Sequence, residues 1–500
     1  MTDDNLNLRA DGKRNYIIAA IIILGLLLRC YGLTDQSIWL DEAFTIYNSQ
    51  QPVSYILDQK GNTPPLYYLL LHSWIYINGN SEFSTRLFSV LTGTTAIFVI
   101  YLLGSLIFNK RSGMYAALLL AISPIHIYYS QEARPYSLLF LLALLSIFFY
   151  VKLKERFSKG SAAGYTVFST MLIYCHLYGL LILLAQNIDQ WINHNVKLRK
   201  LKSWMMLQLI IFIFYIPWII RMPEIIGVQS HSWIPKPNLL ISFPLFYKFA
   251  SGEVFSFYGL FLALIYFFLI LNYPFKSIRK ESILLFSWLL VPVVIPFLYS
   301  VTFTPVFTIR YTVVASLALL LIAAYSLFNM NSFKKLGFFI LIVLCSFLAL
   351  HVQNNTRIKD PWRDVSKFIQ SNIQESDQVL LISSYEVFSF SYYFNPGCFT
   401  SPDIYRCVNL EGIYPSNSIE ETGKINSERV WLILSKDQYR ENIEDILHLS
   451  YDKYRVVTSR EYPVNQNSAI FSKLYKYLDE KKLLTGKYNK IRVRYLKRRS

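Results

Sequence analysis

Apolar runs of bilayer-crossing length, about 20 residues each, recur between short polar breaks along the first 352 residues. They fall near 15–33, 86–107, 113–129, 136–152, 161–176, 177–193, 203–220, 257–273, 282–299, 310–328 and 334–352. This pattern predicts an all-α multi-pass membrane region over 1–352 with about eleven transmembrane helices. From 353 to 500 the apolar positions thin out and an α/β soluble domain is expected. There Val365 to Ile373 has helical spacing, and Gln378–Ser383, Val430–Leu434 and Tyr454–Thr458 read as strands. Gln438 to Leu449 reads as a further helix.

The apolar stretch from Pro64 to Ile77 is short for a span, at about fourteen residues, and suits an interfacial or re-entrant helix. Loop charge decides how to treat it. The first run follows Arg9, Lys13 and Arg14 and reads as a signal anchor with its N-terminus in the cytoplasm. If Pro64–Ile77 does not span, the loops placed inside carry Lys110 and Arg111; Lys152, Lys154, Arg156 and Lys159; Lys197, Arg199, Lys200 and Lys202; Lys276, Arg279 and Lys280; and Lys334 and Lys335. The loops placed outside carry mainly Lys60, Arg134, Arg221, Lys236 and Lys248. That positive-inside asymmetry keeps residues 34–85 outside as one long loop with amphipathic helices. With an odd number of spans, the C-terminal domain is then extracytoplasmic and the protein a multi-pass component of the plasma membrane.

Composition agrees: 53% of residues are hydrophobic and only 16% charged, where a soluble domain carries about a quarter. The net charge of +17 sits largely in the inner loops, so it argues for orientation and not for nucleic acid. Cys30, Cys175 and Cys345 lie in apolar runs. Cys398 and Cys407 lie in the soluble part, where pairing in an oxidising compartment and two free thiols are equally open. No glycine-rich nucleotide fingerprint is present.

The outer loops concentrate ionisable and aromatic groups. Ser37-Ile-Trp-Leu-Asp41-Glu42-Ala-Phe44 places two adjacent carboxylates after a Trp-Leu pair. Acids at a helix N-terminus are one account; a general base near a low-dielectric boundary is the other. Successive helical residues point about 100° apart, so one acid should reach a site while the other holds the structure. Arg86 opens the second span, where it either snorkels or meets a phosphate. The turn Ser123–Tyr136 packs His126, Glu132, Arg134 and several tyrosines, including Tyr136, at membrane depth, where such groups are functional candidates. A plain Glu132–Arg134 surface pair is the alternative. His176 marks the next outer turn, and Arg310-Tyr311 starts the tenth span.

Four motifs occur in order: Trp39-Leu-Asp-Glu-Ala-Phe44, Thr63-Pro-Pro-Leu-Tyr-Tyr68, Ser81-Glu-Phe-Ser-Thr-Arg86 and Tyr129-Ser-Gln-Glu-Ala-Arg-Pro-Tyr136. Together they resemble the polyprenyl-phosphate-sugar glycosyltransferases of the GT-C fold, relatives of the protein O-mannosyltransferases and the lipid A aminoarabinose transferases. The group is often labelled family 39 or RgtA/B/C/D-like. The likeness is dense over 37–150; Phe307-Thr-Ile-Arg-Tyr311 and Asp360-Pro-Trp-Arg-Asp364 extend it more sparsely.

The resemblance implies inverting transfer of a sugar from a polyprenyl-phosphate donor to a glycan, lipid or protein acceptor outside the cytoplasm. It assigns Asp41 as the base on the acceptor hydroxyl, Glu42 as its acidic neighbour and Arg86 as a contact of the donor phosphate. Glu132, Arg134, Tyr136, His176, Arg310 and Tyr311 are the expected substrate-binding set. Asn62-Thr63 replaces the Glu-Lys or His that relatives carry before the Pro-Pro pair, so no obligatory metal is expected, although a divalent ion is possible. A transporter or flippase of lipid-linked sugars would use the same interface without needing Asp41; a ligase of lipid-linked oligosaccharides would keep both.

Overall fold

The computed structural model describes all residues except 1–2, 59–63, 194–197, 222–233, 276–278, 417–426, 436–453, 464–489 and 499–500. The expected helix Gln438–Leu449 and the Asn62-Thr63 departure therefore lie outside the described residues. In chain order the first helices are α1 (Asp3–Cys30), α2 (Leu40–Gln50), α3 (Val53–Asp58), α4 (Leu66–Asn78), α5 (Glu82–Ile107), α6 (Lys110–Ala121), α7 (Pro124–Ser130), α8 (Tyr136–Glu155), α9 (Lys159–Cys175), α10 (Gly179–Asn193) and α11 (Leu198–Ile219). Further apolar helices occupy Ser242–Ser251, Phe257–Leu271, Arg279–Thr302, Ile309–Asn329 and Ser332–Asn354.

Among the described residues, six helices are long and apolar enough to cross a membrane: Glu82–Ile107, Tyr136–Glu155, Leu201–Ile219, Lys280–Thr302, Ile309–Asn329 and Ser332–Asn354. The other expected spans also fall on helices, but length and composition do not by themselves establish a count of eleven. In the stretch Pro64–Ile77 the helix α4 begins after the two prolines and runs Leu66–Asn78, 13 residues.

The chain divides into two compact units. One comprises Met1–Tyr31, Ser54–Leu70 and Arg86–Gln353, the helical bundle. The run expected as one span over 113–129 is here two helices, α6 and α7, because Pro124 has no amide to continue a helix and fits the first turn of a new one. The carbonyls of Leu120 and Ala121, at the end of α6, accept from the Arg29 guanidinium of α1 at 3.1 Å each, and Leu120 O also accepts from the Ser123 amide (3.4 Å). Arg29 is fully buried and also donates to Gly25 O (3.0 Å) and to Ser130 Oγ of α7 (3.2 Å). Glycines make the room: a Cβ at Gly93 would come within 2.1 Å of Ser130 Oγ. A second buried charge, Asp189 of α10, accepts from Tyr150 Oη (2.5 Å), Lys154 Nζ (2.6 Å) and Asn193 Nδ2 (2.6 Å), tying α8 to α10.

The other unit comprises Gly32–Val53, Leu71–Thr85 and Asn354–Ser500, so two pieces of the long first loop belong with the C-terminal region. Among the described residues its sheet has five strands in the order β2-β1-β3-β5-β4, with β1 (Gln378–Ile382), β2 (Ile413–Ser416), β3 (Arg429–Leu434), β4 (Tyr454–Pro463) and β5 (Lys490–Arg498). β1 pairs parallel with β2 and β3; β5 pairs antiparallel with β3 and β4. Leu380, Ile382, Val430, Leu432, Leu434, Tyr454 and Leu496 form a core on it. The helix expected at Val365–Ile373 runs Trp362–Gln370. Cys398 and Cys407 are joined in a disulfide, with Cα atoms 5.4 Å apart, which closes the question the sequence left open.

The Arg29 anchor yields a test. Arg29→Met removes the guanidinium donor from the buried Ala121 carbonyl and one of two donors from Leu120 O and should cost about 2 kcal/mol, read as a fall of several degrees in the melting temperature of the detergent-purified protein. Melting at the wild-type temperature would show that the guanidinium holds nothing together.

Candidate active site

Asp41 and Glu42 stand in the first turn of α2, after Trp39 in extended backbone at the N-cap. There the free amides and the helix dipole favour negative charge. The two carboxylates are treated differently. Glu42 has no exposed surface and pairs with Lys359 Nζ at 3.0 Å. Asp41 is half-buried; its backbone carbonyl accepts from Thr45 Oγ1 (2.7 Å), a bond within the helix.

The approach to α2 is held by side chains from downstream. Gln36 Oε1 accepts from the amides of Ile358 and Lys359, both at 2.9 Å. The Ile38 amide donates to Tyr393 Oη (2.7 Å). Tyr393 also donates to Glu82, which in turn receives the Arg363 guanidinium. Phe44 and Tyr47 pack against Phe388, with ring centroids 5.3 and 5.0 Å apart. The motif around Asp41, residues 81–85 of the Ser81–Arg86 motif and the Asp360–Asp364 motif thus meet in one compact unit through Glu82, Arg363 and Lys359, while Arg86 itself belongs to the helical bundle.

The other expected residues gather in the helical bundle. Tyr136 lies against Tyr129 and His176 (4.7 and 6.1 Å between centroids), and His176 against Tyr311 (5.1 Å). Arg134 lies within electrostatic reach of His176. The Tyr128 hydroxyl donates to the Glu132 carboxylate, and Arg310 lies within electrostatic reach of Tyr128, Tyr129 and Glu253. This draws Glu132, Arg134, Tyr136, His176, Arg310 and Tyr311 into one cluster from the α7–α8 turn, the α9–α10 turn and the start of Ile309–Asn329. Arg86, in the second turn of α5, is fully buried and does not snorkel to the surface.

Sequence reasoning missed Lys359 and Glu253, and it noted Tyr178 only as the neighbour of His176 in the same turn. Tyr178 joins the ring cluster, 5.6 Å from both His176 and Tyr311. Glu253 accepts from Tyr129 Oη (2.8 Å) and pairs with Lys248 Nζ (2.6 Å). Its signal was the preceding glycine: Gly252 has φ +99°, and a Cβ there would sit 2.4 Å from Gln353 Oε1. Among the described residues, no three His, Cys, Asp or Glu side chains gather in a way that could hold a metal ion.

Residues 62–220 match the family model described as dolichyl-phosphate-mannose-protein mannosyltransferase. Solved structures match over nearly the whole chain. ArnT from Cupriavidus metallidurans in the apo state is 13% identical at a TM-score of 0.60, covering 87% of this chain and 95% of that one. The same protein bound to undecaprenyl phosphate gives 12% and 0.58, covering 95% and 97%. The oligosaccharyltransferase AglB from Archaeoglobus fulgidus, in complex with an inhibitory peptide and a dolichol-phosphate, gives 11% and 0.53, covering 96% and 88%. No curated protein matches the sequence. The resemblance read from the motifs therefore stands, and this chain has the GT-C fold.

Glu253 makes the bundle cluster sensitive to acid. Burial works against its charge, but Lys248, the Tyr129 hydroxyl and Arg310 outweigh it and hold the carboxyl below its ordinary value. A depressed folded-state pKa means stability that is present above the unfolded pKa and lost as pH falls through the folded one. Thermal melts between pH 7 and pH 3 should therefore show a steeper acid decline for the wild type than for Glu253→Gln; parallel declines would contradict the ion pair.

Proposed function

We propose that this protein is an inverting glycosyltransferase that moves a sugar from a polyprenyl-phosphate donor to an acceptor hydroxyl on the extracytoplasmic side of the plasma membrane. The observation that carries the reading is the division of labour at α2. Of two adjacent carboxylates at a helix N-terminus, Glu42 is sealed against Lys359 while Asp41 keeps exposed surface. The mannosyltransferase family model over residues 62–220 and the fold shared with ArnT and AglB support the class.

The chemistry follows from the groups present. The acceptor oxygen attacks the anomeric carbon from the face opposite the phosphate, forming one C–O bond as the bond to phosphate breaks. Asp41 takes the hydroxyl proton. The polyprenyl phosphate departs with the bonding electron pair and its charge, so it needs cations and not a general acid. Arg310, Arg134 and Arg86 supply them, and the rings of Tyr136, His176, Tyr178 and Tyr311 offer an apolar wall for the sugar and the first isoprene units. A glycosidase, by contrast, requires a second carboxyl group to protonate its leaving oxygen.

We infer eleven membrane crossings with the N-terminus in the cytoplasm. The basic loops support this orientation. So does the Cys398–Cys407 disulfide, a bond that persists in oxidising compartments and therefore belongs outside.

Purified Asp41→Asn, given undecaprenyl-phosphate-linked sugars, should lose about 10²–10⁴-fold in transfer rate while binding undecaprenyl phosphate as the wild type does; retained transfer would sink the enzyme reading and favour a transporter. Arg310→Ala should bind undecaprenyl phosphate about tenfold more weakly; unchanged affinity would remove Arg310 from the donor site. Membrane-impermeant thiol reagents should label Asn238→Cys in intact cells and reach Gly160→Cys only after lysis. Labelling of both from the same side would refute the topology.

A further inference from the structure

We propose that Lys359 is the positioning residue of this active site, and that Glu42 is its anchor and not a second base; the proposal rests on the reading of Asp41 given above. The carboxylate of Glu42 has no exposed surface with which to meet an acceptor, and its partner's side chain is only 7% exposed. Two charges removed from water are tolerable only together: taking away either leaves the other stranded at a cost of several kcal/mol. The pair therefore fixes the first turn of α2 with far more force than a surface contact would.

The bonds around it point the same way. Residues 34–38, which lead into α2, are gripped by the segment 356–363 at three further places. Gln36 Nε2 donates to Thr356 O (3.2 Å), while its Oε1 accepts the Ile358 and Lys359 amides. The Arg363 amide donates to Ser37 Oγ (3.3 Å), and its guanidinium donates to Thr34 O (2.8 Å). Lys359 is thus held by its own backbone as well as by its ammonium, and it reaches the residue next to Asp41. On a helix, neighbouring side chains diverge by about 100°, so anchoring Glu42 inward sets the direction in which Asp41 projects. A base must lie within hydrogen-bond reach of the proton it removes, and small displacements of such a group cost rate more than binding.

The experiment compares Asp41→Asn, Lys359→Met and the double variant Glu42→Gln/Lys359→Met. Turnover and KM are measured with the undecaprenyl-phosphate sugar that the wild type uses. Lys359→Met should lower kcat about 100-fold with donor KM within twofold of wild type. The double variant replaces the charges by neutral groups of similar size and should recover at least tenfold of that loss. Wild-type kcat in Lys359→Met overturns the proposal. So does a double variant as inactive as Asp41→Asn, which would make Glu42 a chemical participant. Should Lys359→Met fail to fold, the double variant decides alone by the same comparison. Full transfer by Asp41→Asn would instead remove the reading beneath the proposal, so the two failures are distinguishable.

Discussion

A charge withdrawn from water has to find its partners inside the protein, at a penalty of several kcal/mol if it does not. Both compact units are organised around charges that meet this demand. In the helical bundle, Arg29 satisfies the carbonyls at the broken end of α6 and ties α1 to α7. Asp189 collects Tyr150, Lys154 and Asn193 between α8 and α10. In the other unit, Glu42 with Lys359, and Glu82 with Arg363 and Tyr393, fasten pieces of an early loop to residues more than 270 positions later. Hydrophobic length places helices in a bilayer, but between helices in lipid it discriminates weakly, since lipid tails are as apolar as leucine. The polar contacts supply the specificity.

The same constraint separates two carboxylates that are neighbours in sequence. Glu42 is committed to an ammonium, while Asp41 retains exposed surface. The bundle cluster keeps its charges in a different way. Glu253 sits among the Tyr129 hydroxyl, Lys248 and Arg310, and Glu132 sits beside the Tyr128 hydroxyl. There carboxylates, cations and rings hold one another in place rather than standing as flexible surface groups.

Much of the fold was legible. Helices formed at nearly all of the apolar runs because spanning length and hydropathy are local properties. The break between α6 and α7 was missed because the run stays apolar across it. Pro124 was visible, but the guanidinium that makes the break tolerable comes from α1. In the C-terminal region β1, β3 and β4 were found from their apolar runs, whereas β2 and β5 were not. β5 alternates Ile491 and Val493 with Arg492 and Arg494, and its charges masked the strand pattern. In the bundle the expected residues Glu132, Arg134, Tyr136, His176, Arg310 and Tyr311 came together although they come from three separate turns between apolar runs.

By itself the sequence determined the apolar helices, their order and the residue types at the turns between them. These follow from hydrophobic length and polar breaks, which act locally. Only the tertiary structure decided that Glu42 is sealed against Lys359, that Glu253 belongs beside Tyr129, and that Cys398 meets Cys407. Each of these depends on contacts made across a fold, such as the 317 positions between Glu42 and Lys359. A buried charge chooses its partner by proximity in three dimensions and not by spacing along the chain.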